Sequence, residues 1–108
     1  MIKLPNDDTG RALHNVQLDG SDLTKPMEMD FFVAVPSKEA GEKVAIEVEK
    51  HGFNVSLEQD DEFKEWTCYC SSTLIPEYNE VVRIERELDT IAKKYGGYSD
   101  GFGTYGNS

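Results

Sequence analysis

The chain has 108 residues, 38% of them apolar, which suffices for one modest core without disulfides or a metal. Its 21 acidic side chains outnumber 11 basic ones for a formal net charge of −10, a field that repels phosphate backbones and anionic lipid. Direct nucleic-acid and membrane binding are thereby disfavoured and a basic protein partner fits; with no apolar run near the ~20 residues of a membrane span and no apolar signal core after Met1, a cytoplasmic location is expected.

Residues 1–26 are rich in Asp, Asn, Gly and Pro, and Thr9, Ala12, Leu13 and Val16 can line one side of a short helix that Gly10 weakens and Gly20 ends. They read as an N-terminal helix and linker packing on the rest, residues 27–108, with a single domain overall. From Met27 the signal sharpens. Met27, Met29, Phe31, Val33 and Val35 alternate with Glu28, Asp30, Phe32 and Ala34, the period of two of a half-buried strand. Pro36 stops it, and Ser37 is placed to cap a helix whose Ala40, Gly41, Val44, Ala45 and Val48 recur at three- and four-residue steps up to the terminator Gly52.

Phe53, Val55 and Leu57 form a second alternating strand, Asp60-Asp61-Glu62 a solvated turn, and Glu65–Ser71 a third strand, hairpin partner of the second. Pro76 suits the first turn of another helix, with Tyr78, Val81, Val82, Leu88, Ile91, Ala92 and Tyr95 on its buried side and Gly96-Gly97 at its end. Tyr98–Tyr105 is a last, glycine-weakened strand. The order from Met27 is β-α-β-β-α-β, so the expected class is α+β: a ferredoxin-like sandwich, a four-stranded antiparallel sheet with two helices on one face plus a short N-terminal helix.

Such a sheet has a second face, carrying Phe32 and Tyr69. Two arrangements are open here: residues 1–26 lie over these aromatics, or the aromatics form an exposed binding patch. Cys68 and Cys70, the only cysteines, share one face of a strand and suit core packing; their C-x-C spacing and the distance in sequence to His14 and His51 suggest no metal site.

The stretch "DGFGTYG", Asp100–Gly106, invites comparison with an RNA-reading strand and a phosphate loop. The GFG core superficially echoes an RNA-recognition motif, but Asp100 stands where that motif needs Lys or Arg, and Thr-Tyr-Gly follows instead of Phe-Val. No helix follows these glycines, as a phosphate loop or dinucleotide fingerprint requires. The carboxylates Glu58, Asp60, Asp61 and Glu62 single out no acid/base pair, and no Ser, Cys or His stands in a nucleophile signature. The expectation is no enzyme, no catalytic residue, no cofactor and no metal.

Read with the preceding helix, "VVRIERELDTIAKKYGGYSDGFGTYG" resembles the C-terminal part of the regulator of ribonuclease E activity B family, the bacterial ribonuclease E inhibitors. The family's Asp-Gly-aromatic-Gly-Thr turn stands here as Asp100, Gly101, Phe102, Gly103 and Thr104. The upstream "LDGSDLTKPMEMDFFVAVPSKEAGEKVA" and "HGFNV" match the same layout. The resemblance implies a ferredoxin-like, cytoplasmic, acidic protein that binds and inhibits the endoribonuclease of RNA decay, and it carries over no catalytic residue.

For Asp100–Gly106 two roles stand side by side. Either the glycines let the last strand bend while Phe102 packs, or Tyr98, Phe102 and Tyr105 form an aromatic patch beside Asp100 suited to an Arg-bearing partner. The candidate partner-binding residues are Phe32, Tyr69, Tyr98, Asp100, Phe102 and Tyr105. Beside a protein partner, ribonuclease E, two further readings are kept: a small-ligand site between the open sheet face and residues 1–26, and a weak homodimer, rather than a monomer, pairing through Phe32 and Tyr69.

Overall fold

In the computed structural model, which describes residues 3–107, the alternation from Met27 becomes strand β1, Met27–Val35. Its odd-numbered residues are buried and its even-numbered ones are not. The residues beyond it form α2 (Lys38–Glu49), β2 (Asn54–Gln59), β3 (Trp66–Leu74), α3 (Tyr78–Lys93) and β4 (Tyr98–Gly103), preceded by α1 (Asp8–Leu18). All strand pairs are antiparallel, in the order β2-β3-β1-β4. This is an α+β fold of one four-stranded sheet and three helices.

The helices begin and end where local chemistry dictates. Ser37 caps α2 by accepting the Ala40 N–H at 3.1 Å, which leaves Ala40, Gly41, Val44 and Val48 facing the sheet. On α3 the buried stripe is Val81, Ile84, Leu88, Ile91 and Ala92, so Ile84 belongs to the core and Val82 is only half-buried. Pro76 is not in the first turn of that helix. It lies two residues before Tyr78, itself buried, and ends the preceding chain rather than opening α3.

The first helix shows where residues 3–26 pack. Asp7 caps α1 by accepting the Gly10 N–H at 2.7 Å, and Gly10 is needed for a close approach: a Cβ there would stand 1.8 Å from the Pro5 carbonyl oxygen. Thr9 donates its hydroxyl to Glu85 at 2.7 Å, Tyr78 donates to Asp7, and Leu13 is fully buried. Helix α1 therefore packs on α3, in the helical layer. It does not lie over the opposite face of the sheet, and no small-ligand pocket between that face and residues 3–26 is formed.

The other end of the chain is tied down near the start of β1. Thr104 donates to the Glu28 carbonyl at 2.6 Å, and the Asn107 amide donates to the Asp22 carbonyl at 2.8 Å. The core thus sits between one sheet face and the helices, centred on Phe31, whose ring meets Phe53 edge-on at 6.2 Å and Phe102 at 6.1 Å.

Glu85, at the α1–α3 contact, gives a pH prediction. Burial pushes its carboxyl above the ordinary range, partly offset by the Thr9 hydroxyl. A carboxyl whose folded pKa is raised costs stability once ionised, so stability falls as pH rises from the ordinary carboxylate value through the folded one. Glu85→Gln keeps an acceptor for Thr9 and removes that cost. A thermal melt at pH 7 should give a Tm raised by no more than about 4 °C, and at pH 3 no gain. A lower Tm at pH 7 would contradict this account.

Candidate functional site

The sheet face turned away from the helices is the candidate site. Strand register places Glu28, Asp30, Phe32 and Ala34 of β1 on it, opposite Thr73, Ser71, Tyr69 and Thr67 of β3. The β2 residues Asn54, Ser56 and Glu58 extend it on one side, and Tyr98 and Asp100 of β4 on the other. None of these side chains is buried. Phe32 and Tyr69 are half-buried on this face, and α1 does not cover them.

Its centre is a fixed pair of rings. Phe32 and Tyr69 are direct cross-strand partners with centroids 5.5 Å apart, nearly perpendicular. Gly103, across from Asp30, leaves the Phe32 ring its place: an ideal Cβ at Gly103 would stand 2.9 Å from Phe32 Cζ. Around the rings stand the carboxylates of Glu28, Asp30, Glu58 and Asp100. Asp30 accepts a hydrogen bond from the Ser71 hydroxyl, which holds it in register.

The strand positions of the face carry no Lys or Arg, and Lys64 is a cation at its border. Several basic side chains of the helical layer are matched by acids: Arg83 with Glu80 and Glu87 at 2.6 and 2.7 Å, Lys93 with Asp89 at 2.7 Å, Lys94 with Glu47 at 2.9 Å, and Lys43 with Glu39 at 3.5 Å. His51 lies 2.7 Å from Glu87 in the same layer. Individually such exposed pairs contribute little stability. Their consequence is distributional: much of the negative charge of the helical layer is locally balanced, and that of the sheet face is not.

The structure separates the six residues singled out in the sequence. Phe32, Tyr69, Tyr98 and Asp100 share the open face. Phe102 does not, because Gly101 at φ +89° sits where the β1–β4 register shifts. That bulge turns Phe102 inward, opposite Phe31, and turns Gly103 outward. Tyr105 lies beyond the strand, fully exposed, so Tyr98, Phe102 and Tyr105 do not form one patch. The bend expected of these glycines is present, and it is what packs Phe102. Glu28, Asp30 and Glu58 are not among those six, although alternation along β1 already puts the first two beside Phe32.

Beyond the sheet end, Pro36, Lys64, Trp66 and Tyr98 line a shallow notch of about 380 Å3 that continues the open face past Asp100. Lys64 borders it from the acidic turn, where it holds a left-handed φ of 60°. On the helical side, a groove of about 570 Å3 runs between Leu4, Leu23, Ile75 and Tyr78.

Cys68 and Cys70 are fully buried on the helix side of β3, and burial pushes their thiols up to about 11 and about 12. The Cys68 thiol reaches the Gly41 carbonyl at 3.5 Å. Since the thiolate is the reactive form, native protein should resist an aromatic disulfide reagent at neutral pH and release two equivalents in guanidinium. Fast labelling of either thiol in native buffer would mean that the sheet opens there.

The protein-family model described as regulator of ribonuclease activity B matches residues 6–104, from before α1 to past β4. The chain belongs to this family. Membership in the regulator of ribonuclease activity B family makes regulation of ribonuclease activity its role. No curated protein matches the chain. No helix among the described residues is long and apolar enough to cross a membrane.

Proposed function

We propose that this protein is a non-catalytic, cytoplasmic regulator that binds ribonuclease E and lowers its cleavage of RNA. Family membership supplies the ribonuclease. The observation that carries the mode of action is the open sheet face, whose strands bear aromatic side chains and four carboxylates and no Lys or Arg. A face of that sign repels an RNA backbone and attracts a basic protein surface, so the regulator engages the nuclease and not its substrate. We read the fold as the ferredoxin-like split βαβ arrangement; the sheet order β2-β3-β1-β4 and the β-α-β-β-α-β order from Met27 support this reading.

Pairing of two copies through Phe32 and Tyr69 is the weaker reading, because it brings two acidic faces together. Direct opposition of like charges is destabilising.

The deciding experiment is cleavage of a short fluorogenic RNA by purified ribonuclease E, with this protein titrated through the micromolar range at low and moderate salt. Inhibition that weakens with salt yet survives excess RNA is expected. Inhibition relieved by excess RNA would mean that the RNA is the target, and no inhibition at either salt would remove ribonuclease E as the partner.

A further inference from the structure

We propose that the open sheet face takes an extended, arginine-bearing segment of the partner, with a guanidinium stacked against the Phe32–Tyr69 pair and held by the surrounding carboxylates. This rests on the protein-partner reading above and names the chemistry that the partner must present.

Three features of the face select that chemistry. The first is rigidity: Phe32 is set edge-to-face with Tyr69 and has Gly103 beneath it, so the rings offer a preformed platform. Stacking on a preformed platform loses little side-chain entropy on binding. The second is charge. A nucleobase would also stack on these rings, but its phosphates would meet Glu28, Asp30, Glu58 and Asp100, four carboxylates against the single bordering Lys64.

The third is the combination of the two. Arginine alone among side chains presents both a flat cationic face for aromatic rings and a fork of donors for carboxylates, whereas a lysine ammonium is a point charge with a strong hydration shell. A face offering only carboxylates would treat the two cations almost alike. One offering rings and carboxylates together prefers arginine. A second copy of this chain fits poorly, since it brings the same acids and no unmatched arginine on this face.

The probes are two ten-residue peptides with Arg or Lys at alternate positions and otherwise identical, titrated into the isotopically labelled protein and followed by amide shifts. The Arg peptide should bind at least about fivefold more tightly, with shifts concentrated on β1 and β3. Phe32→Ser should erase the preference for Arg while leaving weak, salt-sensitive binding of both peptides. Gly103→Ala is the second variant. It forces the Phe32 ring aside without a left-handed backbone to strain, so it should reduce the same ratio in a protein with an unchanged core. Equal affinities for the two peptides, or shifts confined to the helices, would overturn the proposal.

The same variants separate this inference from the function it rests on. If wild-type protein inhibits ribonuclease E and Phe32→Ser inhibits equally, the face is wrong and the regulator reading stands. If the Arg peptide binds as described and ribonuclease E is untouched, the face stands and a different basic protein is its partner.

Discussion

Phe31→Ala should cost about 3–5 kcal/mol of stability, and the same truncation one residue later, Phe32→Ala, less than about 1.5 kcal/mol. Phe31 is fully buried between Phe53 and Phe102, so alanine leaves a cavity and removes two ring contacts, each of which contributes beyond its buried area. Phe32 points the other way, keeps water on one side, and loses chiefly its contact with Tyr69. Small domains have roughly 5–15 kcal/mol in total, so the first change takes much of the margin. Urea unfolding followed by tryptophan fluorescence is a direct check, Trp66 being the single tryptophan and placed at the start of β3. With m near about 1.5 kcal/mol/M the midpoint should fall by about 2–3 M for Phe31→Ala and by under about 1 M for Phe32→Ala. Equal losses would mean that the open face is covered in solution.

That contrast was legible in the residues themselves, because strict alternation from Met27 to Val35 assigns Phe31 and Phe32 to opposite faces whatever covers them. The Ser37 cap, the Gly52 stop and the α2 stripe are equally local, and the structure has them where the sequence puts them. What was not legible depends on partners distant in the chain. Strand β3 runs on to Leu74, three residues past Ser71, because Ser72, Thr73 and Leu74 pair with Met29, Glu28 and Met27; a Ser-Ser-Thr run has no apolar alternation to announce this. The seat of α1 on α3 hangs on Asp7 with Tyr78 and Thr9 with Glu85, contacts across more than 70 residues.

The candidate site was half legible for a related reason. Counting by twos from Tyr98 puts Asp100 and Phe102 on one face, and the first is right. The register shift at Gly101 inverts everything after it, so Phe102 joins the core and Gly103 comes out under Phe32. A glycine inside a strand was the available signal, since a left-handed residue there is how such bulges are made. The two glycines of Asp100–Gly106 around Phe102 therefore serve both faces. One aims a core ring inward, and the other makes room for a surface ring outward.

On the proposed function, reversing two charges on that outward side should weaken inhibition of ribonuclease E by at least about tenfold at low salt. Asp100→Lys with Glu58→Lys is the informative pair, because both side chains are exposed and both lie on edge strands of the open face. The control makes the same change in net charge elsewhere: Glu42→Lys with Glu49→Lys, two exposed residues of α2 on the helical layer. A protein that acted only through its overall charge of −10 would lose the same amount in either case. One that acts through the sheet face loses much more from the first pair, since contact charges act within a Debye length of about 8 Å at physiological ionic strength and distant ones are screened. Raising the salt to about 1 M shortens that length to about 3 Å and should bring wild type and control down toward the face variant. Equal inhibition by both double variants at low salt would move the binding surface off this face.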